Sequence, residues 1–444
     1  MRVTDHFQPT SRSYGAGVVE LDLFPGQSQS EQDYSATFAD NMSLPVHRWY
    51  RYTAGFSASW VRQLIQREKG KKEIRVIDPF SGSGTVLLEC EFAGVDSYGL
   101  EAQPYVYRIS KSKLNWHFPA DVFKSEMLSF LRHAKTISVT PPDAPKLIAS
   151  CYPPEILQRL ETLKHAWQTT SQPPNIRDFI WFVITSILRV TSPVGTAQWQ
   201  YIQPSKTKAN VLDPFVAFER KVLEMHADMK FLQSQTQCLP RAIVLNQDSR
   251  DIKNIPEGWG NLVVTSPPYA NNYDYADATR LEMTFWGDIA GWSDLQDNVR
   301  SKLVRACTQH VSGMGAEMAE LLAHPRLAPI NGELRGVFNA LQEERLKHGG
   351  KKNYHHMIAA YFKDLADVFH SLRRITSGDC EMCFVIGDSA PYGVYVPVDK
   401  WLGDLALSAG FKSYSFEKLR DRNVKWKNRK HTVPLHEGRL WIRG

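Results

Sequence analysis

Cysteine is scarce. Six in 444 residues are too few for a disulfide framework, so a reducing compartment, the cytoplasm, is expected. One pair, Cys380 and Cys383, has CxxC spacing but sits inside the apolar run CEMCFVI. No second Cys/His pair stands at metal-ligand spacing, so strand packing rather than zinc is expected, and no metal is implied. Long apolar runs are missing as well. Charge breaks each one before the ~18–20 residues a membrane span needs, so no membrane partner is expected. The opening MRVTDHFQPTSRSYG has no apolar core, and no signal peptide is expected. There is no Gly-Lys-Ser/Thr P-loop, no repeat at a solenoid period and no nuclease constellation.

What is present is ordinary for a globular chain: 43% hydrophobic and 23% charged residues. At ~150 residues per domain the length suggests two or three domain-sized units. The net charge of +6 is a weak sign alone. Its distribution says more, because from Lys412 onward ten basic side chains face three acidic ones. Lys425, Trp426, Lys427, Arg429 and Lys430 interleave charge with a ring, a pattern suited to phosphate and base contact.

Residues 1–45 are polar and aperiodic and read as an extended arm. A helix is expected from Ser57 to Arg67. EIRVIDPF (73–80) reads as a strand, SGSGT as a glycine turn, VLLECEFAG (86–94) as a helix ending at Gly94, and DSYGLEA (96–102) as a second strand. That is the βαβ unit of a doubly wound sheet. Residues 120–237 carry helical spacing in EILQRLETLKHAW, RDFIWFVITSILRV and FVAFERKVLEMHADMKFL, and are expected to form an inserted, mainly helical subdomain. Within it Trp199, Gln200 and Tyr201 are candidates for probing bases or backbone. Strands return at RAIVLNQD (241–248) and NLVVTSPPY (261–269). A polar helical segment over 290–350 reads as a second insert. A helix at 356–374, the strand CEMCFVIGD, a helix near 398–409 and strands FKSYSFEKL and RLWIR follow. His355 and His356 read as a polar helix cap.

Two motifs carry chemistry. In DPFSGSGT, Gly82 and Gly84 lie between strand and helix, where a ligand approaches the backbone closely. Glu101 closes the next strand, placed to accept hydrogen bonds from both ribose hydroxyls of a nucleoside. In TSPPY, two prolines stiffen the chain and remove two N–H donors. Ser266 and the Pro267 carbonyl can then accept from a flat group bearing an NH2, and Tyr269 can stack on it.

Together these elements resemble the amino-methyltransferases of DNA, which methylate exocyclic nitrogens with S-adenosyl-L-methionine. DPFSGSGT is similar to that family's cofactor motif, which implies cofactor contact by Asp78, Pro79, Phe80, Gly82, Gly84 and Thr85. GLEAQP (99–104) resembles its ribose-binding strand end, with Glu101. TSPPY resembles its catalytic motif and implies roles for Ser266, Pro267, Pro268 and Tyr269. HRWYRYTAGFSASWV (47–61) resembles the segment bordering the methionine moiety, and carries over Phe56 and Ser57. NQDSRD (246–251) resembles the strand end whose aspartate, here Asp248, contacts the adenine amino group.

The resemblance implies a Rossmann-like class I methyltransferase sheet, α/β, with the helical insert between its second and third strands. The catalytic domain would comprise 46–119, 238–289 and 351–444. The resemblance does not cover 120–237, a target-recognition or partner-binding module, or 290–350. A Ser at position 266 is commoner in cytosine-N4 enzymes, and adenine-N6 is the alternative. A flipped base in double-stranded DNA is the implied substrate; Tyr273, Tyr275 and Arg280, just after TSPPY, either border the base or its phosphates or pack the next helix. Any restriction or defence nuclease would be a separate chain. An RNA methyltransferase and an inert nucleic-acid-binding subunit remain as other readings.

Overall fold

The computed structural model describes residues 38–52, 57–140, 143–196, 202–208, 211–235, 241–270, 274–422 and 433–444. Phe56, Trp199, Gln200, Tyr201, Tyr273, Lys425, Trp426, Lys427, Arg429 and Lys430 lie outside the described residues.

Seven strands form one sheet. They are β1 (Val76–Asp78), β2 (Ser97–Leu100), β3 (Ala242–Leu245), β4 (Gly260–Thr265), β5 (Thr376–Gly387), β6 (Ser413–Arg422) and β7 (Leu435–Arg443). The order across the sheet is β3-β2-β1-β4-β5-β7-β6. The first five strands run parallel, and β7 is antiparallel to both β5 and β6. This is the expected Rossmann-like class I methyltransferase sheet, with its final hairpin reversed. The chain winds outward from β1 to β3 and then crosses back to β4, so the switch point lies between β1 and β4. A crevice opens there, outside the carboxyl ends of the strands.

The central strands are apolar on both faces because helices cover both. Val76, Leu262, Val264, Cys383 and Val385 pack with Trp60, Val61, Leu64 and Ile65 of α1 (Ala58–Lys69) and with Val86 and Cys90 of α2 (Thr85–Phe92). Ile77, Val263, Cys380, Met382, Phe384 and Ile386 pack on the other side, with the helices Tyr354–Ile375 and Val398–Ser408. Cys380 and Cys383 thus join different apolar layers, which is the strand packing expected of them.

Several local features differ from the sequence reading. Phe38–Ser43 forms a 3-10 turn rather than the end of an extended arm, and Asn41 Oδ1 accepts from Ala58 N at 2.9 Å. His355 and His356 make no cap hydrogen bond; Asn353 is the N-cap, and both rings pack on Phe338. Burial, then the neighbouring His356, pushes His355 down to about 4. The polar stretch after residue 190 holds a two-stranded ribbon, Val194–Thr196 with Ile202–Thr207. Residues 290–350 contain short turns and helices whose Val304, Val311, Leu327, Leu334 and Leu341 join the core around Tyr354–Ile375.

Between β2 and β3 run α3 (Pro104–Leu114), α4 (Ala120–Ala134) and the helices Pro154–Thr169, Pro174–Ile187 and Pro214–Gln235. Four of these five begin with proline, whose missing N–H costs nothing in a first turn. The helical layer is pinned at two places. Asp228 accepts from Val46 N and Trp49 Nε1, and pairs with Arg48. Arg189 holds Glu282 and the Ala278 carbonyl.

Candidate active site

The crevice at the switch point has a volume of about 820 Å³ including its open mouth, within the ~300–1,000 Å³ usual for ligand sites. Its walls come from seven parts of the chain. The turn after β1 gives Pro79, Phe80, Ser81, Gly82, Ser83 and Thr85; the end of β2 gives Glu101 and Gln103. Asp248 and Ser249 follow β3, Ser266 and Pro268 follow β4, and Tyr275, Lys302, Leu303 and Val304 complete the rim with Tyr52.

The glycine turn has the conformation its sequence requires. Gly84 has φ +86° and opens α2, and a Cβ there would meet Ser110 Oγ at 2.5 Å. Gly82 has φ +50°, with Tyr52 Cε1 3.1 Å from where a Cβ would stand. Glu101 ties the turn to the next strand. One carboxylate oxygen accepts from Gly82 N at 3.1 Å and the other from Gln103 N at 2.8 Å. Burial pushes its carboxyl up to about 7 against these hydrogen bonds.

Asp78 lies beneath the cleft rather than in its wall. Its Oδ1 accepts from Phe80 N at 3.0 Å and from Thr265 Oγ1 at 2.7 Å, and burial raises its pKa to about 7. The bond to Thr265 links the glycine turn directly to TSPPY, 187 positions later in the chain. Ser249 Oγ donates to the Pro79 carbonyl, which fastens the third strand end to the same turn.

The TSPPY motif divides between two environments. Ser266 and Pro268 face the cleft, and Pro267 is buried. Ser266 Oγ donates to the Val385 carbonyl at 3.3 Å. With its proton directed at that carbonyl, the oxygen offers lone pairs to any other partner. Tyr269 turns toward β6, with the Arg422 guanidinium 5.1 Å from its ring centre. Burial and nearby Glu437 raise the tyrosine pKa, so the hydroxyl stays protonated.

The remaining expected residues fall as follows. Tyr275 reaches the cleft. Ser57 is the N-cap of α1 and accepts from Trp60 N at 3.3 Å; it is not among the cleft-lining residues. Arg280 pairs with Asp277 at 2.8 Å and lies over the exposed Trp292 ring. Asp274 caps the following helix and pairs with Arg300 at 2.5 Å. Although burial raises its pKa, His310 and Arg300 hold its carboxyl down to about 2.

The sequence reading did not single out Tyr52, Gln103, Ser249 or Lys302–Val304. The last three fall in a polar segment with no recognisable motif. Ser249 sits inside the quoted NQDSRD, beside Asp248, where a contact was expected.

No family model matches the chain. It is similar to the Type II methyltransferase M.BsoBI of Geobacillus stearothermophilus, 24% identical over 435 residues and covering 87% of this chain and 82% of that one. M.AvaI of Nostoc sp., a Type II methyltransferase, is 24% identical, with 84% and 81% covered. M.MvaI of Kocuria varians, also a Type II methyltransferase, is 20% identical, with 90% and 88% covered. Matches of this extent reach beyond the motif-bearing segments into the helical region between β2 and β3. The homologues are methyltransferases, as the motifs led one to expect.

Proposed function

We propose that the chain is a site-specific DNA methyltransferase that transfers the methyl group of S-adenosyl-L-methionine to the exocyclic N4 of a flipped cytosine. The observation that carries this reading is the shared cleft. Ser266 and Pro268 open onto the same cavity as the Gly82 turn and Glu101. The Type II methyltransferase relatives support the reaction class and the DNA substrate.

The residues present fit the cofactor. A Cβ at Gly82 would crowd the cradle, and the Glu101 carboxylate stands in the wall with acceptor capacity beyond its two backbone bonds. Glu101 holds the ribose hydroxyls, and Asp248 the adenine amino group. Gly82, Ser83 and Thr85 shape the turn against the methionine end. When bound, S-adenosyl-L-methionine supplies an electrophilic methyl group on a sulfonium.

The protein's share of the reaction is orientation. The amino nitrogen of cytosine is a poor nucleophile, because its lone pair is delocalised into the ring. The Ser266 oxygen and the Pro267 carbonyl accept its two hydrogens, which favours a pyramidal nitrogen with its lone pair free for in-line attack. Carbonyl dipoles meet the positive charge that develops there, and the nitrogen returns to neutral by giving one of its two protons to water at the cleft's open mouth. Tyr269 remains neutral; its ring lies beside Arg422 and outside the cleft lining, and it would stack on the base only after turning from there. A base inside a duplex cannot reach this site, so it is flipped out at a cost of about a few kcal/mol.

The test is nucleoside mass spectrometry of DNA incubated with protein and cofactor, beside the Ser266→Ala and Tyr269→Ala variants. The expected product is N4-methylcytosine, falling at least about 100-fold with each variant. N6-methyladenine would keep the mechanism and overturn the choice of base. Methylation of RNA alone would overturn the DNA substrate. Cofactor binding without transfer to any nucleic acid would leave an inert binding subunit.

A further inference from the structure

Arg250 occupies a junction that the reaction outlined above does not use. Its Nε donates to both carboxylate oxygens of Asp248, at 3.0 and 2.9 Å, and Nη2 donates to Oδ2 at 2.5 Å. Its backbone N–H adds a bond to Oδ1 at 2.9 Å. The same guanidinium donates to the Lys302 carbonyl at 3.2 Å and the Ser301 carbonyl at 3.5 Å. Its Nη1 reaches Asp364 at 3.3 Å. Asp364 is buried and in turn holds Arg305 through Nε at 2.9 Å, Nη2 at 2.5 Å and backbone N–H at 3.0 Å.

Two consequences follow for the cleft. A carboxylate gripped by a planar fork has a fixed plane, and its remaining lone pairs point in fixed directions. The segment Ser301–Arg305 is held at both ends by the alternating chain Asp248–Arg250–Asp364–Arg305, and Lys302, Leu303 and Val304 within it line the cleft. One guanidinium therefore sets both the acceptor and the wall beside it.

We propose that Arg250 is a positioning residue for cofactor selection: it orients Asp248 as an acceptor for an exocyclic amino group and sets the 301–305 strap against the same ring. This rests on the reading of Asp248 as the adenine contact. The ligand class so selected is a nucleoside with a 6-aminopurine. A 6-oxopurine presents an acceptor where Asp248 requires a donor, and two acceptors facing each other repel.

The probes are S-adenosylhomocysteine and S-inosylhomocysteine, with dissociation constants measured by calorimetry on the full chain. Wild type is expected to prefer the adenine compound at least about tenfold. Arg250→Gln is expected to lose most of that preference, leaving about threefold or less, and Arg250→Lys to fall between, since it keeps the charge without the fork. In an Asp248→Ala background the Arg250→Gln change should alter the preference no further. Equal weakening of both ligands by Arg250→Gln, with the preference intact, would mean a structural role alone and overturn the inference. Absence of any preference in wild type would overturn it too. Failure of wild type to bind either compound would instead overturn the cofactor reading itself.

Discussion

Glu101 bonds the glycine turn and Gln103 at once, and burial holds its carboxyl near pH 7. Its ordinary value is 4.5, so the folded chain binds this proton more tightly than the unfolded chain does. The resulting stabilisation is present below about pH 4.5 and declines as pH rises toward 7. In the proposed complex, ribose hydroxyls donating to the carboxylate would favour its ionised form, so cofactor binding is expected to release a proton. Affinity for S-adenosylhomocysteine should therefore rise from pH 5 to pH 7 and level off above. Calorimetry in two buffers of different ionisation enthalpy would show the proton directly. Glu101→Gln should bind about 10- to 100-fold more weakly at pH 8 and lose most of the pH dependence. An unchanged pH profile in that variant would assign the proton to another group, Asp78 first. Single residues of this kind were legible in the sequence because each closes a strand beside a recognisable turn. Arg250 was less so: it stands inside NQDSRD, yet nothing in a linear string shows that its side chain folds back on Asp248.

At the scale of elements, the helix Arg280–Trp286 follows TSPPY in the chain and packs against the helical layer. The helical layer holds it from several sides. Arg189 grips Glu282 at 2.5 Å, Lys164 Nζ donates to the Phe285 carbonyl at 2.6 Å, and Trp286 Nε1 donates to Thr185 Oγ1 at 2.9 Å. Glu282 is fully buried. Arg189→Met strands that carboxylate and should cost about 3–5 kcal/mol in denaturant unfolding. Arg189→Met with Glu282→Met should recover most of the loss. Hydrogen exchange over residues 275–286 is expected to quicken in the single variant and return toward wild type in the double one. The sheet strands and the βαβ unit were readable because short apolar runs met glycine turns. The strap at 301–305 was not, since five residues are too few to show a period, and its place is set by Arg250 and Asp364, far away along the chain.

For the whole molecule, charge is the property that reaches furthest. Ten basic residues against three acidic ones from Lys412 onward are proposed to give the DNA partner a salt-dependent grip. Replacing Lys425, Lys427, Arg429 and Lys430 by Ala should flatten the slope of log affinity against log salt by about 3–4, near 0.9 for each phosphate no longer neutralised. Methylation at saturating DNA should change little. An unaltered slope would place the phosphate-binding residues elsewhere. The sheet order also fixes when the cleft can exist. Its walls run from Tyr52 to Val304, and β1 finds its neighbour β4 only after the helical layer has been made. A chain emerging from the ribosome at ~5–20 residues per second would need on the order of tens of seconds between the first wall residue and the last. On the proposed function, nascent protein is thus blind to cofactor for most of its synthesis, and a message cut short before Val304 is expected to yield a product with no methylating capacity.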